Sequence, residues 1–151
     1  MIVWLDKALA LAIHDRLLAE HGGSSGVRDA GLLESALARP RQLDDYEGSI
    51  PDLADPAARL AHGIAENHLF VDGNKCAAYT CCETFLMLNG AELEAEASDK
   101  YLTVLMLAEG KLKPEDFAAW LRAHIPPIKP AHSIQEPRKT YRRRKTARVS
   151  S

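Results

Sequence analysis

Eight consecutive residues, His68-Leu69-Phe70-Val71-Asp72-Gly73-Asn74-Lys75, hold an imidazole, a carboxylate, a turn-forming glycine and an ammonium. Each has a use around a polyphosphate. His68 can take a proton from an attacking hydroxyl. Asp72 offers a hard oxygen ligand to Mg2+. Gly73 lets the backbone approach a ligand closely, and Lys75 brings a compact positive charge. Asn74 and Lys75 open the apolar-periodic run Ala77, Ala78, Cys81, Phe85, Leu88, which ends at Asn89-Gly90, a helix stop. Free N–H groups at such a helix start attract anions. The plainer reading is a helix N-terminus capped by Asp72 or Asn74, with His68 a surface residue. Any one of these residues alone reads that way; together they point to a phosphate site.

The segment resembles the signature of the Fic/Doc superfamily, H-x-F-x-[D/E]-[G/A]-N-[G/K]-R. Lys75 after Asn74 is the form of the Doc branch, where Fic members carry Gly. The resemblance extends to Leu17–Pro40, with Ala19-Glu20-His21-Gly22-Gly23 and Gly31-Leu32-Leu33-Glu34-Ser35-Ala36. It continues through Phe85-Leu86 to Asn89-Gly90 and from Ala108-Glu109-Gly110 to Trp120-Leu121, and so covers roughly residues 2–125. One position departs: Cys76 stands where the family has an Arg that contacts phosphate. A thiol cannot replace the charged planar fork of a guanidinium. Cys76 is either a small half-buried helix residue or an inactivating loss in an otherwise complete site. Tyr79 replaces a second Arg typical of Fic members and commonly absent from Doc members.

The resemblance implies a transferase that uses ATP and Mg2+ to modify a hydroxyl on a protein. For the Doc branch it implies a toxin of a toxin–antitoxin pair that moves the γ-phosphoryl group onto a threonine of elongation factor Tu and arrests translation. For the Fic branch the group moved is AMP. By resemblance His68 is the base, Asp72 holds Mg2+, and Gly73, Asn74 and Lys75 form the anion cradle, with position 76 beside it. Phe70 packs inward and anchors the loop. The partner implied is a small Phd-like antitoxin that blocks the site. A catalytically inactive binding protein, made so by Cys76, is the rival from another class.

The elements that must position these residues read as all helical. Leu5–Glu20 repeats apolar residues at Leu9, Ile13, Leu17 and Leu18 and stops at Gly22-Gly23. Asp29 caps a short helix through Ala38, halted before Pro40. Arg39–Leu53 has turn formers and no sustained period, so it is a loop or a small hairpin, in the place of the family's substrate-aligning flap. Asp55-Pro56 reads as a cap followed by Pro at the first helical position of a helix to about Asn67. The signature loop and the helix from Asn74 follow. Ser98 caps a helix to Ala108, and Lys113-Pro114-Glu115 starts the last, with Phe117, Trp120 and Leu121 on one face. The expectation is a bundle of about six helices. Leu86-Met87-Leu88 and Leu105-Met106-Leu107 read as core.

At 151 residues, 46% hydrophobic and 26% charged, the chain suits one domain of an ordinary soluble protein. No apolar run reaches the length of a membrane span, and Met1-Ile2-Val3-Trp4 opens no signal peptide, so a cytoplasmic protein is expected. Cys76, Cys81 and Cys82 fall on one helix, which makes no disulfide framework. A zinc site from His62, His68 and these thiols is the lesser reading, since no C-x-x-C or H-x-x-x-H pair exists. Residues 126–151 carry eight Lys or Arg against Glu136, a net of +7; the whole chain is −2, which leaves −9 on residues 1–125. The division expected is a domain over 1–125 and a Pro-containing, disordered basic tail over 126–151. Only a weak nucleic-acid contact through that tail is entertained.

Overall fold

A computed structural model of the protein describes residues 2–42 and 52–126, with six helices among them. In chain order they are α1 (Lys7–His21), α2 (Ala30–Gln42), α3 (Ala54–Asn67), α4 (Asn74–Leu88), α5 (Ala97–Ala108) and α6 (Pro114–His124). The fold is all α, as expected. No strand occurs among the described residues; the only β pairing there is an isolated antiparallel bridge between Val27 and Phe70. Of the hairpin expected near residues 40–53, residues 40–42 belong to α2 and residues 43–51 lie outside the described residues, as does the basic tail expected over 126–151 apart from Pro126.

Local chemistry sets the helix ends. Asp6 accepts from the Leu9 N–H at 2.8 Å and starts α1, and Gly22, at φ +83°, ends it with its N–H on the Leu18 carbonyl. Asp29 accepts from Leu32 N–H at 3.0 Å at the start of α2. Lys113 precedes Pro114, the first residue of α6, where a missing N–H costs nothing.

Four expectations are corrected. α2 runs through Pro40 to Gln42 instead of halting at Ala38. Pro40 forfeits a single ladder bond in the last turn, and its buried ring compensates by leaving water. Asp55 does not cap α3, which starts a residue earlier without a side-chain cap. The Asp52 carboxylate instead accepts from Ala54 N–H at 3.2 Å, while Asp55 faces Arg122 at 3.4 Å. Ser98 lies inside the first turn of α5, because Lys100 N–H already bonds the Glu96 carbonyl. Of the two Leu-Met-Leu runs, Leu86 and Leu107 are buried but Met87, Leu88 and Met106 are exposed. Successive helix residues are turned by about 100°, so three in a row cannot all face inward.

α3 is the centre of the bundle and packs against α2, α4, α5 and α6. Nine of its residues are buried, five of them alanines, which lets neighbouring helices come close on several sides. Gly63 shows how close: a Cβ there would lie 3.1 Å from the Cβ of Ala36 on α2. The end of α3 and the start of α4 are therefore held against a common core that includes Ile64, Leu69, Phe70, Ala77 and Cys81. Between these two fixed ends runs the signature loop.

Candidate active site

His68 ends α3 in the left-handed conformation (φ +50°, ψ +57°), the only non-glycine residue with positive φ among those described. Such a conformation is disfavoured for an L-residue and needs outside support. Arg28 supplies it: its Nε donates to the His68 carbonyl at 2.8 Å and its Nη2 to the Asn67 carbonyl at 3.2 Å. The guanidinium thus occupies the carbonyl end of α3, where positive charge is favoured. The backbone of the same segment continues the clamp. Arg28 N–H donates to the Leu69 carbonyl at 2.7 Å, and Val71 N–H to the Gly26 carbonyl at 3.0 Å.

Phe70 is buried, as expected of a loop anchor, and its ring stacks on His14 of α1 with centroids 3.8 Å apart. Its main chain is bound on both sides by one side chain. Asn74 Oδ1 accepts from Phe70 N–H and Asn74 Nδ2 donates to the Phe70 carbonyl, each at 2.9 Å. Asn74 is therefore a brace across the loop. Both ends of its amide are engaged by the loop, and its backbone N–H is left outside the helix ladder. Neither Asp72 nor Asn74 caps α4: the cap position is Gly73, at φ +79°, with no side-chain bond. The first ladder bond of α4 is Ala77 N–H to the Gly73 carbonyl at 2.9 Å, so the N–H groups of Asn74, Lys75 and Cys76 precede the ladder.

The structure brings His68, Asp72, Gly73, Asn74, Lys75 and Cys76 to the wall of one open cleft of about 400 Å³. Ala65, Val71 and, from α5, Tyr101 and Ala108 complete the lining. The side chains of His68, Asp72 and Lys75 are exposed. Asp72 is steered by backbone: Oδ1 accepts from Gly73 N–H at 2.9 Å and Oδ2 from Ser24 N–H at 3.3 Å. Both oxygens keep lone pairs for a cation. A single exposed carboxylate is the kind of ligand Mg2+ takes, since that ion uses one or two carboxylates and completes its shell with phosphate and water. No cluster of three or more His, Cys, Asp or Glu able to hold a metal occurs among the described residues, and His62 pairs with Glu66 at 3.5 Å. The zinc reading therefore has no geometry behind it.

The other two thiols lie apart from this chemistry. Burial pushes Cys81 up to about 12 and moves Cys82 in the same direction, which leaves both as apolar core groups. Tyr79 does not line the cleft; it sits near Glu83 and Lys100, with burial and then the Glu83 charge raising its phenol. Residues that the motif did not reveal are His14, Arg28 and Tyr101. His14 carried a signal: it lies four residues after Ala10 on the buried stripe of α1, a polar residue at an apolar position.

Comparison with known proteins agrees with the motif. The Fic/DOC family profile matches residues 4–86. Over 75 residues the chain is 45% identical to a protein named Toxin Doc of Mycolicibacterium smegmatis, covering 50% of this chain and 58% of that one. Over 112 residues it is 31% identical to Protein kinase doc of Escherichia phage P1, covering 74% of this chain and 87% of the phage protein.

Proposed function

The chain belongs to the Fic/DOC family, and on that footing we propose that it is a Doc-like toxin, a phosphotransferase that moves the γ-phosphoryl group of ATP to a protein hydroxyl. The observation that supports this reading is the cleft itself, lined by the His68 imidazole, the Asp72 carboxylate and the uncapped, lysine-bearing start of α4. In the reaction the hydroxyl oxygen bonds to the γ-phosphorus, the bond from that phosphorus to the β–γ bridging oxygen breaks, and ADP leaves. The hydroxyl proton passes to the His68 imidazole. The N–H groups of Asn74, Lys75 and Cys76 and the Lys75 ammonium receive phosphate oxygens, whose negative charge needs fixed donors. Asp72 holds Mg2+, which supplies neutralisation of phosphate charge. Arg28, Asn74 and the α3–α4 core keep these groups in register, which is where positioning gains its rate.

Lys75 in place of Gly supports phosphoryl over AMP transfer. Cys76 sits at the cleft where the family's guanidinium belongs, so the activity is attenuated. The domain carrying it is residues 1–125, working in the cytoplasm. The proposed substrate is a threonine of elongation factor Tu, with translation as the process blocked, and a Phd-like antitoxin segment is the partner that fills the cleft. The test is transfer from ATP labelled on the γ or the α phosphate to elongation factor Tu, with Mg2+ present and His68→Ala as control. Label from the γ position that is lost in His68→Ala supports the reading. Label only from the α position replaces it with AMP transfer. Label from neither leaves an inactive binding protein, the outcome that Cys76 favours among the alternatives.

A further inference from the structure

We propose that His14 is a positioning residue for the Asp72 carboxylate, acting through the peptide between Asp72 and Gly73; the proposal rests on the reading of Asp72 as the Mg2+ holder. Among the described residues His14 is the one buried polar or charged side chain, 2% exposed. A buried imidazole needs a partner for its polar atoms, and Nε2 finds it in the Asp72 carbonyl at 2.7 Å, 58 residues along the chain. A carbonyl only accepts, so Nε2 carries the hydrogen and donates. The ring is held in that direction by its face, which lies 3.8 Å from Phe70 at an interplanar angle of 11°. Phe70 is itself fixed by the Asn74 brace.

The consequence follows from peptide geometry. The peptide unit is planar and trans, so the carbonyl of Asp72 and the N–H of Gly73 point in opposite directions. Holding the carbonyl toward α1 turns the N–H away from it, and that N–H donates to Asp72 Oδ1 at 2.9 Å. His14 thus reaches the carboxylate through one rigid unit. The second oxygen is met by Ser24 N–H from the loop that follows α1. Gly73 suits the arrangement through its φ of +79°, which L side chains rarely adopt; space is not the reason, since a Cβ there would meet His14 Nε2 at an ordinary 3.7 Å.

The test uses the full chain, His14→Phe and His14→Gln. Phenylalanine keeps an aromatic face against Phe70 but cannot donate, whereas the glutamine amide can. Three quantities are measured: the thermal midpoint, the order parameter of the Gly73 amide by NMR, and the Mg2+ concentration that half-saturates ATP binding by calorimetry. His14→Phe should stay folded, raise the Mg2+ requirement by roughly three- to tenfold, the worth of one hydrogen bond, and lower the Gly73 order parameter. His14→Gln should bring both back toward the parent. An unmoved Mg2+ requirement and Gly73 amide in His14→Phe overturn the proposal, and so does a glutamine variant no better than the phenylalanine one. If His14→Phe does not fold, the tautomer of His14 in the unmodified chain decides: hydrogen on Nε2 supports the relay and hydrogen on Nδ1 alone overturns it. A parent chain that binds no ATP with Mg2+ refutes the proposed function instead, and the Gly73 amide and the His14 tautomer then decide the positioning role by themselves.

Discussion

Asn74 offers the sharpest separation between two accounts of the signature loop. If it acts as a helix-start residue, Asp should replace it at no loss, and the α4 dipole should favour the added charge by about 0.3–1 kcal/mol. If it is the brace seen here, its amide must both donate and accept. Asn74 Nδ2 and Oδ1 each make a 2.9 Å bond to the main chain of Phe70, in a part-buried setting. Asn74→Ala removes two bonds worth about 0.5–1.5 kcal/mol each, and part of the desolvation cost of the groups left behind adds to that. The expected loss is about 2–3 kcal/mol, a fall of roughly 4–12 °C in melting temperature for a chain of this size. Asn74→Asp keeps the acceptor for Phe70 N–H but sets a carboxylate oxygen against the Phe70 carbonyl, so it should lose about as much as Ala despite the dipole. Urea unfolding of the three proteins at neutral pH gives the comparison directly. An Asn74→Asp protein as stable as the parent would refute the bracing argument, because then the donor to Phe70 carries no weight.

Three further outcomes are expected. Gly23→Ala should weaken Mg2+-dependent ATP binding several-fold and lower stability by roughly 1–3 kcal/mol, because Gly23 has φ +120° and a Cβ there would lie 2.9 Å from Asp72 Oδ2; calorimetry and urea unfolding check both, and an unchanged variant contradicts it. At Asp52, burial pushes the carboxyl up, but the hydrogen bonds and charge of Arg122 and the Ala54 N–H outweigh it and hold it below its ordinary value. A lowered carboxyl stabilises the fold above the unfolded value and loses that contribution as pH falls through the folded one. The gap in urea midpoint between the parent and Arg122→Gln should therefore be present at pH 7 and shrink below about pH 4, with a ceiling near 1 kcal/mol for so exposed a pair. Cys76→Arg should raise ATP affinity or transfer rate by roughly tenfold, at a stability cost under about 1 kcal/mol from placing a cation at a helix start; equal affinity and equal growth on induction would show that the missing guanidinium is not the lesion.

Legibility in the sequence followed the range of each interaction. Asp29, Gly22, Gly90 and Lys113-Pro114 act within a turn of where they stand, and the ends of α1, α4 and α6 could be read to within two residues. Caps that compete with a tertiary partner could not. Asp55 looks like a cap from its neighbour Pro56, yet the charge that decides its role is Arg122 on α6. The composition of the cleft wall was readable because six of its residues are consecutive or nearly so, whereas Tyr101 and Ala108 belong to it only through the packing of α5.

The loop makes the division sharper, because its residues were assigned by type while the structure assigns them by direction. An Asn before a helix could cap it, cradle an anion or bind the loop behind it, and the three differ only in where the amide points. What decides is Phe70: once its ring is buried against His14, its N–H and carbonyl face Asn74 and take both ends of that amide. The site is thus built from two layers with different sequence signatures. The groups that face the cleft sit together in one motif. The groups that aim them, His14 and Arg28, come from α1 and the segment after it, 58 and 40 residues away, and are legible only as a histidine on an apolar stripe and an arginine in a glycine-bearing loop. A motif can therefore be complete and still mis-set. Its chemistry rests on whether the first thirty residues hold the peptide at Asp72 and the left-handed turn at His68, and substitutions there should alter ligand binding while the signature stays intact.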